Sequence, residues 1–107
     1  MARFDLYNNP STRSRVKSPF LLDAQSDHLG NLMSRVVIPL TRVAGNYTTN
    51  KVAQDLSPII EIEGEQFVLE TPLLGAVRIS DLGPAIGTLK GERDRISAAL
   101  DRLFGAY

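Results

Sequence analysis

The sequence predicts a mainly β domain, an antiparallel sheet or small partly open barrel, with one C-terminal α-helix packed on it. Three observations carry this reading. Short apolar or alternating runs follow one another from Arg3 to Ser80, separated by turn residues. Two of these runs, 58–62 and 66–70, flank Glu63-Gly64-Glu65, a short glycine-containing connection of the hairpin kind. Near residue 88 the period changes to that of a helix: Leu89, Arg93, Ile96, Leu100, Leu103 and Tyr107 form one stripe, reinforced by Ala99 and Phe104.

Taken in order, Arg3-Phe4-Asp5-Leu6-Tyr7 alternates polar and apolar and reads as a half-buried strand, ended by the turn formers Asn8-Asn9-Pro10-Ser11. Residues 10–18 are polar and cationic and read as a loop or hairpin tip. Pro19 to Gln25 is a second strand, with Phe20, Leu21 and Leu22 for the core, and 26–34 is a loop or short turn. Arg35 to Thr41 is a third strand, rich in β-branched residues. Pro39 has no N–H to donate, which predicts an edge, a bulge or a strand end at that point. Residues 42–50 read as a loop turning at Gly45-Asn46, and 51–56 is ambiguous, with a short helical turn as one option. Gly75 to Ser80 is the last strand. Thr88 is the predicted N-cap of the helix and Gly105 its stop.

A chain of 107 residues with 43% hydrophobic residues fits a single domain spanning 1–107. Folding buries roughly 65% of the unfolded surface at this size, which allows one modest core. Twelve cationic and twelve anionic residues give a net charge of zero, which argues against direct nucleic-acid binding through a broad basic field. Arg13, Arg15 and Lys17 cluster locally and read as a solvated loop. With no cysteine and one histidine, His28, the chain has no disulfide, thiolate zinc site or multi-histidine centre. Neither cofactor nor metal is expected. The longest apolar runs are too short to span a bilayer, and the N-terminus lacks the apolar stretch of a signal peptide, so a cytoplasmic protein with no membrane contact is expected.

No strong catalytic motif appears. Gly83-Pro84-Ala85-Ile86-Gly87 lacks the spacing and Lys-Ser/Thr of a phosphate loop. Ser26, Asp27 and His28 are sequence neighbours, which does not give the geometry of a nucleophilic triad. Asp27, His28 and Arg35 supply residue types suited to RNA cleavage, an imidazole to move a proton and a guanidinium to steady a phosphorane, but no second acid/base stands beside them. Glu61, Glu63, Glu65 and Glu70 cluster at the hairpin and read as a solvated acidic surface. Phe104-Gly105-Ala106-Tyr107 sets two aromatics around two small residues, a composition suited to protein contact.

Asp23-Ala24-Gln25-Ser26-Asp27-His28-Leu29, followed by Arg35-Val36-Val37-Ile38-Pro39-Leu40, resembles the signature of the CcdB toxin family. Phe4 and Tyr7 match its first strand, Pro58-Ile59-Ile60-Glu61-Ile62 its Pro-Val-Val-x-Ile strand, and Arg95-Ile96-Ser97-Ala98-Ala99-Leu100, leading to Phe104, its helix. The resemblance covers nearly the whole chain. It implies the CcdB/Kid type of fold, shared with the MazF toxins, a homodimer, and a non-enzymatic toxin of a toxin–antitoxin system of the kind linked to plasmid maintenance. It further implies a topoisomerase poison that binds the DNA gyrase A subunit and traps the cleaved DNA complex, and that a CcdA-like antitoxin neutralises.

Carried onto this chain, the gyrase-binding residues are Ser26, His28, Leu29, Asp101, Phe104, Gly105, Ala106 and Tyr107, and the antitoxin-binding residues are Tyr7, Asp23 and Ser26. Two departures stand out. His28 replaces an apolar residue, and the chain ends Gly105-Ala106-Tyr107 without tryptophan, where the best-known member ends Trp-Gly-Ile. The alternatives are a Kid/MazF-like endoribonuclease toxin working through Asp27, His28 or Arg35, and a non-toxic homologue that retains antitoxin binding.

Overall fold

A computed structural model describes residues 2–29, 31–43 and 51–105, with only the backbone of His28 and residues 51–53. The expected turn at Gly45-Asn46 and the residues Ala106 and Tyr107 lie outside the described residues. The strands are β1 (Asp5–Asn8), β2 (Phe20–Asp23), β3 (Ser34–Arg42), β4 (Ile59–Ile62), β5 (Glu65–Leu69), β6 (Gly75–Arg78) and β7 (Gly87–Thr88). The helices are α1 (Lys51–Leu56) and α2 (Arg93–Phe104), with 3₁₀ turns at Asp27–Leu29, Thr71–Leu73, Ile79–Asp81 and Lys90–Glu92. The sheet curls into a half-barrel with spatial order β4-β5-β3-β2-β1-β7, and β6 also pairs with β3. Each pairing is antiparallel.

Local chemistry explains most of these boundaries. β4 and β5 are joined by Glu63 and Gly64 alone, at φ 50° and 83°. Both central residues in the left-handed region is the condition for a two-residue turn whose twist matches the strands. β1 ends at Asn9-Pro10, and the loop after it is a run of tight turns. The Asn9 side chain holds that loop, accepting from the Ser11 N–H at 3.0 Å and donating to Ser14 Oγ at 2.9 Å and to the Ser18 carbonyl at 2.8 Å. Arg13, Arg15 and Lys17 are exposed on it, as a solvated loop requires.

Pro39 departs from expectation. It lies inside β3, the central strand, opposite Leu21 of β2. A strand residue points its N–H and C=O to the same side. The Pro39 carbonyl accepts from the Glu70 N–H at 2.9 Å, so its ring nitrogen faces the β5 side. There β5 has ended at Leu69 and β6 starts only at Gly75. The missing donor falls in the gap between two end-to-end partners of β3.

The helix also differs. It begins at Arg93 after a 3₁₀ turn, and Thr88 belongs to β7, opposite Asp5. The Leu89 N–H is taken by the Phe4 carbonyl at 2.8 Å, so this stretch is bound to the sheet edge before it can wind into α2. The C-terminus follows the expected chemistry. Gly105 sits at φ 69° and its N–H reaches the Asp101 carbonyl, the left-handed glycine cap. No helix among the described residues is long and apolar enough to cross a membrane.

The core lies between one face of the sheet and α2. Leu6, Leu22, Ile38, Leu40, Ile60, Phe67 and Leu69 meet Leu89 and Ile96 there. Phe20 meets Phe67 edge-on, ring centroids 5.2 Å apart. From α2, Ile96 and Ala99 are fully buried, whereas Phe104 swings out at 69% exposure. Ile96 joins helix to sheet, so Ile96→Ala is expected to lower unfolding free energy by about 2–5 kcal/mol in urea titration. The exposed Leu73→Ser is expected to stay within about 0.5 kcal/mol of wild type in the same experiment.

Candidate functional site

The period of two in the strands sends alternate residues to the opposite face. Beside the core residues Leu6, Leu22 and Ile38 stand Tyr7, Leu21, Asp23, Arg35 and Val37, and these too are buried. Among them Asp23 and Arg35, both 0% exposed, form a bidentate ion pair. Arg35 Nε donates to Asp23 Oδ2 at 2.8 Å and Nη2 to Oδ1 at 2.9 Å. Arg35 Nη1 is buried without a hydrogen-bond partner.

The pair anchors the residues that follow β2. The Gln25 N–H donates to Asp23 Oδ1 at 3.0 Å. The Gln25 side chain then works in both directions: its Oε1 accepts from the Val36 N–H at 3.0 Å and its Nε2 donates to the Leu29 carbonyl at 2.9 Å. A side-chain amide thus extends the β2–β3 ladder past its last backbone bond, Ala24 N–H to the Val36 carbonyl. The 3₁₀ turn Asp27–Leu29 closes through the Leu29 N–H and the Ser26 carbonyl at 3.0 Å. It leaves Leu29 48% exposed.

Burial pushes the Asp23 carboxyl above its ordinary 3.8, while the Arg35 guanidinium and the Gln25 N–H pull it the other way. Burial likewise pushes the Tyr7 phenol above 10.0, helped by the charges of Asp5 and Asp23 and opposed by Arg35. Burial is the largest of these influences on Asp23, and the bidentate geometry with Arg35 satisfies both of its carboxylate oxygens.

The residues singled out in the sequence fall into two sets on different elements. Tyr7, Asp23, Ser26 and Leu29 cluster around the buried pair and the turn it supports. Asp101, Phe104 and Gly105 form the exposed end of α2. Tyr7 and Asp23 lie below the surface, so a partner meets what they support rather than their side chains. Arg35 is also sealed in, and its guanidinium is not presented to a phosphate. The His28 side chain, Ala106 and Tyr107 lie outside the described positions.

Two features were not read from the sequence. One is the bridging role of Gln25. The other is an apolar groove of about 840 Å³ lined by Leu32, Met33, Ser34, Arg78, Ile79 and Ser80. Met33 is 87% exposed at its rim, and the adjacent pair Leu32-Met33 inside a polar loop was the available signal. At the acidic hairpin, Glu65 pairs with Arg42, and among the described residues no group of three or more acidic or histidine side chains is placed to hold a metal.

The molecule is a curled antiparallel half-barrel carrying one C-terminal helix, with an exposed leucine on a turn braced by a buried ion pair. Residues 3–105 match the family described as CcdB protein, and the chain belongs to that family. CcdB proteins are toxins of toxin–antitoxin systems and are not known as enzymes.

Removing one partner of the buried pair strands the other charge. Arg35→Met is expected to cost about 3–5 kcal/mol in urea unfolding. Adding Asp23→Leu to it is expected to recover most of that loss, and a double-mutant cycle over the two positions measures the coupling.

Proposed function

We propose that this chain is a homodimeric cytoplasmic toxin that binds the DNA gyrase A subunit, traps the gyrase–cleaved DNA complex, and is neutralised by a CcdA-like antitoxin. The observation that carries the reading is the Asp27–Leu29 turn. It lies inside the signature segment and holds Leu29 out to solvent, and its end is tied by Gln25 to the buried Asp23–Arg35 pair. A rigid, part-apolar turn is what a contact surface needs, because pre-ordering lowers the cost of binding.

In this reading Ser26, His28 and Leu29 from the turn and Asp101, Phe104, Gly105, Ala106 and Tyr107 from the helix end form the gyrase surface around the dimer axis. Phe104, exposed on α2, is its aromatic anchor. The antitoxin covers an overlapping surface that Tyr7 and Asp23 shape from beneath and Ser26 joins. The apolar groove at Leu32 and Met33, rimmed by the exposed Met33 side chain, adds apolar surface for a protein partner to cover.

The endoribonuclease alternative draws on Asp27, His28 or Arg35, and the burial of Arg35 in a bidentate bond to Asp23 withdraws that guanidinium from a phosphate. The non-toxic alternative draws on the absence of tryptophan from the given sequence, with Tyr107 as the proposed substitute aromatic.

A cleavage-complex assay with purified gyrase tests the proposal. Wild type is expected to trap cleaved DNA, and deletion of Gly105 to Tyr107 to abolish trapping. Phe104→Ala is expected to weaken binding to the gyrase A subunit roughly 30-fold, equivalent to about 2 kcal/mol, without shifting Tm. Absence of trapped DNA with wild type overturns the poisoning claim, and growth arrest on expression without antitoxin excludes the non-toxic reading. RNA incubated with the protein is expected to stay intact.

A further inference from the structure

The start of the chain is folded against the signature turn. Residues 2–5 form a tight turn, with the Asp5 N–H donating to the Ala2 carbonyl at 3.0 Å and the Ala2 N–H donating to Asp5 Oδ2 at 3.0 Å. Phe4, third in that turn, has φ 73°. That is the left-handed region where a turn of this kind usually carries glycine or asparagine. A bulky residue persists there only when its surroundings over-determine it. Here they do. The Phe4 N–H donates to the Asp23 carbonyl at 2.7 Å, the Phe4 carbonyl accepts from the Leu89 N–H at 2.8 Å, and the ring packs against the core. The Arg3 guanidinium lies over that ring, 5.0 Å from its centroid.

The strap has one further attachment, and it reaches the functional turn. The Arg3 N–H donates to Asp27 Oδ1 at 2.7 Å, across 24 positions of sequence. Asp27 is the first residue of the 3₁₀ turn that ends at Leu29. Gln25 holds the far end of the turn through the Leu29 carbonyl. The turn is therefore fixed at both ends, by a buried amide at Leu29 and by an exposed carboxylate at Asp27. A hydrogen bond to an ionised carboxylate is the stronger kind.

We infer that Asp27 is a positioning residue of the target-binding surface, clamping residues 2–4 onto the 27–29 turn and so setting how Leu29 is presented. The inference rests on the proposed gyrase-directed reading of that turn. It gives Asp27 a role by way of the chain's own N-terminal strap, with no contact to the target.

The test uses the full chain and the variants Asp27→Ala and Asp27→Asn. Amide hydrogen exchange reads the clamp, and binding to the gyrase A subunit reads its consequence. Asp27→Ala is expected to speed exchange at Arg3 and Leu29 and to weaken binding about tenfold, with Tm close to wild type. Asp27→Asn keeps an acceptor oxygen at the same place and is expected to restore both. Unchanged exchange in Asp27→Ala overturns the clamp. Faster exchange with wild-type binding overturns its positioning role. An Asp27→Asn variant with wild-type exchange but weak binding also overturns it, because the carboxylate then touches the target itself. If wild type fails to bind gyrase, the gyrase reading falls, while the exchange result still decides the clamp.

Discussion

The ion pair between Asp23 and Arg35 is the constraint on which the rest of the molecule depends. Two charges have been withdrawn completely from water at the ends of neighbouring strands. Such a pair tolerates few geometries, because any slip in strand register separates the charges while leaving both buried. It therefore fixes β2 against β3 at the point where backbone pairing stops. The consequence passes outward through Gln25, whose backbone N–H bonds Asp23 and whose side-chain amide joins the third strand and the Leu29 carbonyl. The position of an exposed leucine is thus set by a charge balance in the interior.

This arrangement divides the sheet into two kinds of interior. The buried cluster toward α2 is apolar and closes by packing Ile96 and Leu89 onto the strands. The other face carries Tyr7, Asp23 and Arg35 among aliphatic neighbours, and its cohesion is directional. An apolar interior accepts many rearrangements of similar volume, whereas a bidentate pair accepts one. The specific face lies directly behind the turn with the most distinctive sequence, and the permissive one lies under the helix. Stability and presentation are in this way assigned to different sides of one sheet.

Much of the fold was legible in the chain because the relevant signals are local. Glu63-Gly64 required positive φ at both positions and formed a two-residue turn. The stripe through Ile96, Ala99 and Leu100 marked the buried side of a helix, and Gly105 marked its end. What escaped depended on partners distant in sequence. Thr88 has the chemistry of a helix cap, yet β1 captures that stretch as a strand before the helix begins. Phe4 fits a strand by alternation, but bonds from Asp23 and Leu89 hold it in a left-handed turn. For the candidate site, the signature segment stood out by its residues, but not that Tyr7, Asp23 and Arg35 lie beneath the surface. A buried aspartate and an exposed one are the same letter, and only the arginine twelve residues later, brought alongside by the β2–β3 pairing, distinguishes them.

Pro39 carries a consequence for the shape of the whole sheet. On one side β3 runs unbroken beside β2, while on the other it serves β5 and then β6 in succession. At the junction any residue other than proline would aim an N–H into a space where neither partner strand offers a carbonyl, and an orphaned donor costs about 1–3 kcal/mol when buried. The proline removes the donor at the point where β3 passes from one partner to the other. Two short strands that meet end to end need not share a plane, so β5 can follow the β4 hairpin while β6 leads into the 3₁₀ segment at Ile79. A residue that normally interrupts sheets is accommodated here because the strand exchanges one partner for the next at its position.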